Sequence, residues 1–169
     1  MSRVYCFEPI VARTSTVLIL GSMPGQASLA AGEYYAHPRN AFWTIMGELI
    51  GAHPRLSYPE RISILSASGI ALWDVLASCT RTGSLDSDIR QDSAITNDFD
   101  SLFLNHPGIT RVFFNGAKAE QCFLKQVHPA LEPDRLQYRR LPSTSPANAG
   151  ISYAQKLLAW QSVKQQDRE

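Results

Sequence analysis

The sequence predicts an α/β fold in which a mainly parallel sheet is covered by helices on both faces. Short apolar runs rich in β-branched residues alternate along the chain with longer segments whose apolar residues recur every three or four positions. Such alternation is typical of βαβ units. The length of 169 residues corresponds to one ordinary domain, so we expect residues 1–169 to form a single domain.

The first half of the chain begins with a predicted buried strand over residues 16–20, which ends at Gly21. The next twenty residues contain two prolines and two glycines, and this punctuation predicts a long irregular loop, typical of a functional segment. Asn40 can cap a helix in which Phe42, Ile45, Met46 and Leu49 recur at helical spacing. A second helix is expected over residues 59–68.

The second half continues the alternation of strands and helices. Five aspartates between residues 80 and 100 predict a solvated excursion from the fold. In an open parallel sheet, ligands bind beyond the carboxyl ends of the strands. We therefore expect the functional site to be built from the loops that follow the strands. The further predicted strands cover residues 69–75, 109–114 and 136–141, and the further predicted helices cover residues 97–104, 117–127 and 151–158.

The composition excludes several classes of protein. A hydrophobic fraction of 44% with 18% charged residues excludes a disordered chain and a coiled coil. The net charge of +1 means that a polyanionic partner must be met by a local basic patch. Cys6, Cys79 and Cys122 form no C-x-x-C pair and have no histidine at ligand spacing, which argues against a metal centre and favours a reducing cytoplasm. The chain lacks a signal core and an apolar stretch near the roughly 20 residues that a membrane span needs.

Unusual chemistry is concentrated in four loops that follow the predicted strands. The first loop is neither G-x-G-x-x-G nor a Walker loop, which argues against dinucleotides and nucleoside triphosphates. It also lacks the G-x-S-x-G elbow of acyl hydrolases. The four loops read Gly-Ser-Met-Pro-Gly at residues 21–25, Tyr-Tyr-Ala-His-Pro-Arg-Asn-Ala-Phe-Trp at 34–43, Asn-Gly-Ala-Lys at 115–118, and Leu-Pro-Ser-Thr-Ser-Pro-Ala-Asn at 141–148.

These four loops, in this order, resemble the uracil-DNA glycosylase superfamily, and most closely its hypoxanthine-DNA glycosylase branch. The resemblance extends from Leu18 to Asn148 and covers most of the chain. It implies a monomeric three-layer α/β/α sandwich with a short central sheet and no cofactor. The implied activity is monofunctional hydrolysis of the N-glycosidic bond of deaminated bases in double-stranded DNA, chiefly hypoxanthine.

The chain departs from the superfamily pattern at two positions. Most branches carry an Asp or Asn in the first loop that orients the attacking water, and Met23 stands there. The second motif often begins with a His that stabilises the departing base, and Leu141 stands there. In the hypoxanthine branch the catalytic role passes to the asparagine of the second loop, which implies that Asn40 orients the water. A helix cap is the alternative role for Asn40, and both roles are compatible.

Four residues are expected to surround the flipped base. Tyr35 matches the stacking residue of the superfamily, with an ordinary half-buried tyrosine as the alternative. Asp74 ends an apolar strand and can accept a proton from hypoxanthine N1–H, which adenine lacks; the alternative is a cap of the following turn. Asn115 either reads a base edge or closes the Asn-Gly turn, and the turn is favoured. Met23 completes this group, whereas Phe42 and Trp43 are assigned to the core.

The DNA backbone is expected to contact hydroxyls, backbone N–H groups and basic side chains around these loops. A solvated basic face is the alternative for each cation taken singly. Arg139 is a further candidate next to this set in sequence. The predicted DNA-binding residues are Ser22, Arg39, Lys118, Arg140, Ser143, Thr144, Ser145 and Asn148.

Two other functions stay open from the sequence. A mismatch-specific uracil-DNA glycosylase differs from the first interpretation mainly in pocket volume, which a sequence does not display. A non-catalytic module that binds damaged DNA is consistent with the departures at Met23 and Leu141. A small-molecule hydrolase is disfavoured, because no pair of nucleophile and base is visible.

Overall fold

The protein contains a parallel four-stranded sheet between two layers of helices. The computed structural model describes residues 2–128 and 135–165. In the described residues the strands are β1 (Arg3–Tyr5), β2 (Val17–Gly21), β3 (Ile70–Asp74), β4 (Leu76–Thr80), β5 (Ile95–Thr96), β6 (Arg111–Asn115) and β7 (Gln137–Leu141). The helices are α1 (Gln26–Ala31), α2 (Phe42–Ile50), α3 (Tyr58–Ala67), α4 (Phe99–Asn105), α5 (Ala117–Gln126) and α6 (Tyr153–Trp160).

The main sheet has the strand order β3-β2-β6-β7, and every pair in it is parallel. Gly21 at the end of β2 is level with Asp74 at the end of β3, and Asn115 at the end of β6 is level with Leu141 at the end of β7. Parallel pairing therefore brings four strand ends, distant in sequence, to one edge of the sheet. The expected α/β fold with a mainly parallel central sheet is confirmed.

Alternate residues of each strand pack into two separate apolar layers, as the two-residue period of a strand requires. On β2, Leu18 and Leu20 pack in the layer that contains Phe123 of α5. Val17 and Ile19 face the opposite layer. That second layer contains Phe42, Trp43, Met46, Leu65 and Trp160 from α2, α3 and α6. Phe42 and Trp43 are almost fully buried, so their assignment to the core is confirmed.

A second, smaller sheet was not predicted. It has the order β1-β4-β5 with antiparallel pairs, and Arg3 lies opposite Thr80. The sequence carries little sign of this sheet because its strands are short and partly polar. Its pairing also joins positions far apart in the chain, which no local pattern records.

Two other expectations were wrong in part. Residues 21–40 are not wholly irregular, because they contain α1, which Gly32 ends in the left-handed conformation with φ 67°. Residues 80–100 are not simply a solvated excursion, since they contain β5 and bury Arg81 and Ile89. Non-local contacts with the first loop order this segment. None of the helices in the described ranges is long and apolar enough to cross a bilayer.

Candidate active site

A large cavity lies at the carboxyl ends of the parallel strands, where Asp74 at the end of β3 meets the loops after β2, β6 and β7 and residues 84–87. Its volume of about 1370 Å³ exceeds the roughly 300–1000 Å³ typical of small-ligand pockets, so it has room for an extended substrate. Of the predicted functional residues, Lys118 does not line it. Those that do are Ser22, Met23, Tyr35, Arg39, Asn40, Asp74, Asn115, Arg140, Ser143, Thr144, Ser145 and Asn148.

Asp74 is a buried carboxyl group with one oxygen left unpaired. Its side chain is 4% exposed, and no described residue donates a hydrogen bond to Oδ2. Burial raises the pKa of Asp74 to about 7; the charge of Asp86 adds to this effect, and the Arg81 guanidinium partly opposes it. A Cβ on Gly21 would lie 2.5 Å from Asp74 Oδ1, so only glycine leaves room for this carboxyl group. A buried, unpaired acceptor that lines a cavity is available to a ligand.

Tyr35 presents an aromatic ring and a hydroxyl group to the cavity. The ring stacks on Phe42 with 4.1 Å between centroids and 27° between planes, which fixes its orientation. Its hydroxyl group is buried and has no hydrogen bond of good geometry among the described residues. Burial and the charge of Asp74 raise the pKa of Tyr35, so the hydroxyl group stays protonated. Its φ of 54° is rare for a residue other than glycine, and strain of this kind is concentrated at functional sites.

Asn40 lies just before α2, and its side chain serves the start of that helix. The Phe42 N–H donates to Asn40 Oδ1 at 3.0 Å, while the Asn40 N–H donates to the His37 carbonyl at 2.9 Å. Ala41 is the residue at the helix boundary and supplies no side-chain cap. The capping role considered for Asn40 is therefore present, in the form of a turn closed by the side chain. One lone pair of Oδ1 and the amide nitrogen stay available to the cavity.

Asn115 uses both polar atoms of its amide on one neighbour. Its Nδ2 donates to Thr144 Oγ1 at 2.9 Å, and its Oδ1 accepts from the Thr144 N–H at 2.9 Å. Gly116 follows with φ 97°, and a Cβ there would meet Ser143 at 3.0 Å. Asn115 thus fastens the end of β6 to residues 142–148, and Thr144 leaves one Nδ2 hydrogen and one Oδ1 lone pair of the amide unused. This geometry supplies a positioning contact, and the base contact considered for Asn115 stays a prediction.

The segment 142–148 is folded by its own hydroxyl and amide groups. Ser143 Oγ accepts from the Ser145 N–H at 3.2 Å, and Asn148 donates to the Ser143 carbonyl at 3.1 Å. Two residues of α6 hold the segment from behind: Trp160 donates to the Pro142 carbonyl at 2.9 Å, and Lys156 Nζ lies 3.4 Å from the Ser145 carbonyl. Burial lowers the pKa of Lys156. Thr144 is 1% exposed, and its hydroxyl group accepts from Asn115 Nδ2; its expected phosphate contact stays a prediction.

The first loop is tied to the segment between β4 and β5. Ser22 Oγ donates to Asp86 Oδ1, and Ser84 Oγ accepts from the Gln26 N–H at 2.9 Å. The buried Arg81 donates to the Pro24 carbonyl, and its Nε and Nη1 have no hydrogen-bond partner in the described residues. Met23 is 7% exposed and packs in the apolar layer while also lining the cavity. Its thioether supplies an apolar wall and no strong acceptor for water.

The expected DNA-binding cations separate into two groups. Arg39 and Arg140 line the cavity, and Arg140 Nη1 lies 3.6 Å from Glu120. Arg139, the neighbour of Arg140 on β7, instead donates to Ser162 Oγ at 2.8 Å. Lys118 is half-buried on α5. Successive residues of a strand point to opposite faces, which separates the two arginines.

Metal binding has no evident place in the part of the chain that the structure describes. Residues 2–128 and 135–165 contain no group of three or more His, Cys, Asp or Glu side chains that could hold a metal ion. Cys6, Cys79 and Cys122 are free thiols.

Comparison with known proteins shows to which family the chain belongs. The family model described as the uracil DNA glycosylase superfamily matches residues 9–164. The chain belongs to the uracil DNA glycosylase superfamily. A hypoxanthine DNA glycosylase of Methanosarcina barkeri is 34% identical over 143 residues, which cover 84% of this chain and 86% of that protein. A hypoxanthine DNA glycosylase of Methanosarcina acetivorans is 33% identical over 147 residues, covering 86% and 89%.

A solved structure of the same superfamily supports the fold. The solution NMR structure of a candidate uracil DNA glycosylase from Methanosarcina acetivorans matches with a TM-score of 0.80 and 30% identity, over 96% of this chain and 97% of that chain. The predicted resemblance and the predicted fold class are both confirmed. The roles of individual residues rest on the geometry described above.

Three residues of the site were missed from the sequence. Arg81 and Asp86 lie in the aspartate-rich segment that we expected to be solvated, and Lys156 lies on a helix whose pattern appeared ordinary. The only sequence signal for Asp86 was the cluster of aspartates between residues 80 and 100. Such clusters are also common in solvated loops. Arg81 and Asp86 contact the first loop, 57 and 64 residues away in sequence, and Lys156 contacts Ser145, 11 residues away.

Proposed function

We propose that the protein is a monofunctional DNA glycosylase that hydrolyses the N-glycosidic bond of hypoxanthine in deoxyinosine, as part of base excision repair. The names of its curated relatives support this substrate. The observation that carries the proposal is the unpaired carboxyl oxygen of Asp74, Oδ2, in a cavity that the aromatic ring of Tyr35 also lines. Asp74 offers an acceptor to the edge of a base, and Tyr35 offers the face of its ring.

Asp74 gives the cavity a means to separate hypoxanthine from adenine. Hypoxanthine has an N1–H group that donates a hydrogen bond to an ionised carboxylate, whereas adenine presents a lone pair at N1. A buried acceptor that faces another acceptor costs on the order of 1–3 kcal/mol. Protonated Asp74 has a donor as well, and this form would also accommodate adenine N1. The pKa of Asp74 is about 7, so both the protonated and the ionised form are populated near neutral pH. Only the ionised form discriminates against adenine.

Tyr35 is the platform for the flipped base in this proposal. A base inside a duplex cannot reach the cavity, so the nucleotide must leave the stack at a cost of a few kcal/mol. Stacking on an aromatic ring offsets part of that cost. Because Phe42 supports the ring of Tyr35 from behind, little side-chain entropy is lost when the base binds.

Asn40 orients the water through the free lone pair of its amide oxygen. An amide has no useful basicity, so Asn40 cannot itself remove the proton of the water. We infer a dissociative reaction, in which the C1′–N9 bond is largely broken before water is captured. The phosphates of the DNA supply part of the stabilisation of the positively charged sugar.

In this proposal, two groups of residues contact the DNA backbone. Ser143, Ser145 and Asn148 stand at the rim on the segment that α6 supports, and Arg39 and Arg140 supply positive charge. We propose that residues 1–169 act as one domain and as a monomer on double-stranded DNA. The three free thiols support a reducing compartment, and we place the protein in the cytoplasm.

A cleavage panel tests the proposed function. Labelled duplexes containing deoxyinosine, deoxyuridine, deoxyxanthosine or ethenodeoxycytidine are incubated with the protein and treated with alkali, which breaks abasic sites. We expect deoxyinosine to be cleaved fastest and normal adenine far more slowly. A preference for deoxyuridine in mismatches would replace the proposal with a mismatch-specific uracil-DNA glycosylase. Tight binding without strand breaks would indicate a non-catalytic module.

A further inference from the structure

The segment between β4 and β5 contributes a carboxylate to the cavity from outside the parallel sheet. Asp86 begins a short 3-10 helix, Asp86–Asp88, and lines the cavity together with Met23 and Asn40. Among the described residues that line this cavity, the carboxyl groups are those of Asp74 and Asp86. Asp74 is buried at the base-reading position, so Asp86 is the carboxylate that water can reach.

Contacts with the first loop hold Asp86 in place. Ser22 donates to its Oδ1, and no hydrogen bond from the described residues occupies its Oδ2. Its neighbour Ser84 accepts from the Gln26 N–H at 2.9 Å, and the Leu85 N–H donates to Asp88 at 3.2 Å. The segment is thus fixed against the loop that contains Met23. One carboxylate oxygen is anchored and the other is left for a ligand.

The other candidates for activating a water are less suitable. The Asn40 amide cannot accept a proton, and the Met23 thioether is a weak acceptor. His37 also lines the cavity, but its Nδ1 accepts the Arg39 N–H at 3.1 Å. The charge of Asp86 is felt inside the cavity, since it contributes to the raised pKa of both Asp74 and Tyr35. A carboxylate there would also stabilise positive charge that develops on the sugar.

We propose that Asp86 is a further catalytic residue, whose free Oδ2 binds the attacking water opposite Asn40 and accepts its proton. This inference rests on the proposed glycosylase function. The C1′–N9 bond breaks, and its electron pair leaves with hypoxanthine, which takes a proton from solvent. The water oxygen forms a bond to C1′, and its proton passes to Asp86. Solvent then restores the carboxylate.

Single-turnover cleavage of deoxyinosine duplex tests the inference. We expect Asp86→Asn to lower the rate by about 100-fold or more, because this variant loses both the proton acceptor for the water and the negative charge that stabilises the developing sugar cation. Affinity for a duplex with an abasic-site analogue should stay unchanged. The matched control is Asp92→Asn, which removes the same charge from an exposed residue that pairs with Arg90. It should retain the wild-type rate. Thermal unfolding establishes that both variants are folded.

Azide distinguishes a base from a merely structural residue. Azide is an anionic nucleophile and, unlike water, carries no proton that a base must remove. It should therefore restore base release in Asp86→Ala and form an azido sugar product. A wild-type rate in Asp86→Asn, an equal loss in Asp92→Asn, or no azido product in Asp86→Ala would each overturn the role of Asp86. Wild-type protein that cleaves no duplex of the panel would instead overturn the proposed function itself.

Discussion

The amide of Asn115 makes two hydrogen bonds to Thr144, one to its hydroxyl group and one to its backbone N–H, each 2.9 Å long. The carbonyl group of Thr144 in turn accepts the Ala41 N–H at 3.0 Å, next to Asn40. Three loops that are far apart in sequence are joined through one buried residue. The position of Asn40 therefore depends on the end of β6 as well as on its own helix.

Loss of the Asn115 amide should weaken both the fold and the reaction. Asn115→Ala leaves the buried N–H and hydroxyl group of Thr144 without partners, and we expect a loss of about 1–3 kcal/mol in the free energy of unfolding. Base release should also slow, because Asn40 loses support. Chemical denaturation and single-turnover cleavage measure the two effects. Asn148→Ala removes one partly exposed hydrogen bond and is the control, with a smaller expected loss in the free energy of unfolding. Equal stability of Asn115→Ala and wild type would contradict the positioning role of Asn115.

Asn40 should be separable into a capping role and a catalytic role. Asn40→Ala removes both and should abolish base release while leaving DNA binding nearly unchanged; the lost cap costs about 1 kcal/mol of stability. Asn40→Asp keeps an acceptor for the Phe42 N–H and should retain some activity. Cleavage assays and thermal unfolding of the two variants provide the measurements. Normal turnover by Asn40→Ala would move the catalytic role to another residue.

Selectivity between hypoxanthine and adenine should depend on pH through Asp74. Below about pH 7 the buried carboxyl group becomes protonated and can donate to adenine N1. The ratio of inosine to adenine cleavage should therefore rise from about pH 6 to about pH 8. Asp74→Ala should lose this dependence and should damage inosine cleavage more than DNA binding. Inosine cleavage at the wild-type rate by Asp74→Ala would remove the recognition role.

Asp74 should also destabilise the protein at high pH. Its pKa is raised from 3.8 to about 7 in the folded state, so the folded protein binds a proton that the unfolded chain has lost between these values. The stability that this proton provides is complete below about pH 4 and is lost as pH rises through 7. Asp74→Asn should be more stable than wild type at about pH 8, by on the order of 1–4 kcal/mol, and the gain should shrink toward about pH 4. A gain that does not vary with pH would contradict this account.

The two neighbouring arginines of β7 should differ in their effects on DNA binding. Arg140 lines the cavity, so Arg140→Ala should weaken binding to damaged and undamaged duplex alike and lower the salt slope by about one. Arg139 bonds Ser162, and Arg139→Ala serves as the control with an unchanged slope. Binding titrations at several salt concentrations measure both. Equal slopes for Arg140→Ala and wild type would make Arg140 a bystander.

The sequence by itself determined the architecture of the main sheet and the loops that surround the cavity. Buried strands such as β2 are apolar throughout, and this pattern is visible within a few residues of sequence. The order of the strands depends on pairing between distant segments, so only the structure revealed it. The polar residues at strand ends could be expected to meet, because parallel strands place their carboxyl ends at one edge. Asp74 was expected at the site on this ground, whereas Asn40 and Tyr35 were expected there because their loop resembles that of the superfamily.

Only the tertiary structure decided what each polar group has left to offer a substrate. By sequence alone Asn115 could read a base edge or close a turn, and the structure adds its two hydrogen bonds to Thr144. Asp86 resembled a solvated charge until Ser22 fixed it at the cavity. The pKa of Asp74 likewise follows from burial and from Arg81 and Asp86, none of which its own strand encodes. The physical reason is that a side chain's residue type fixes its donors and acceptors, whereas their availability depends on non-local neighbours.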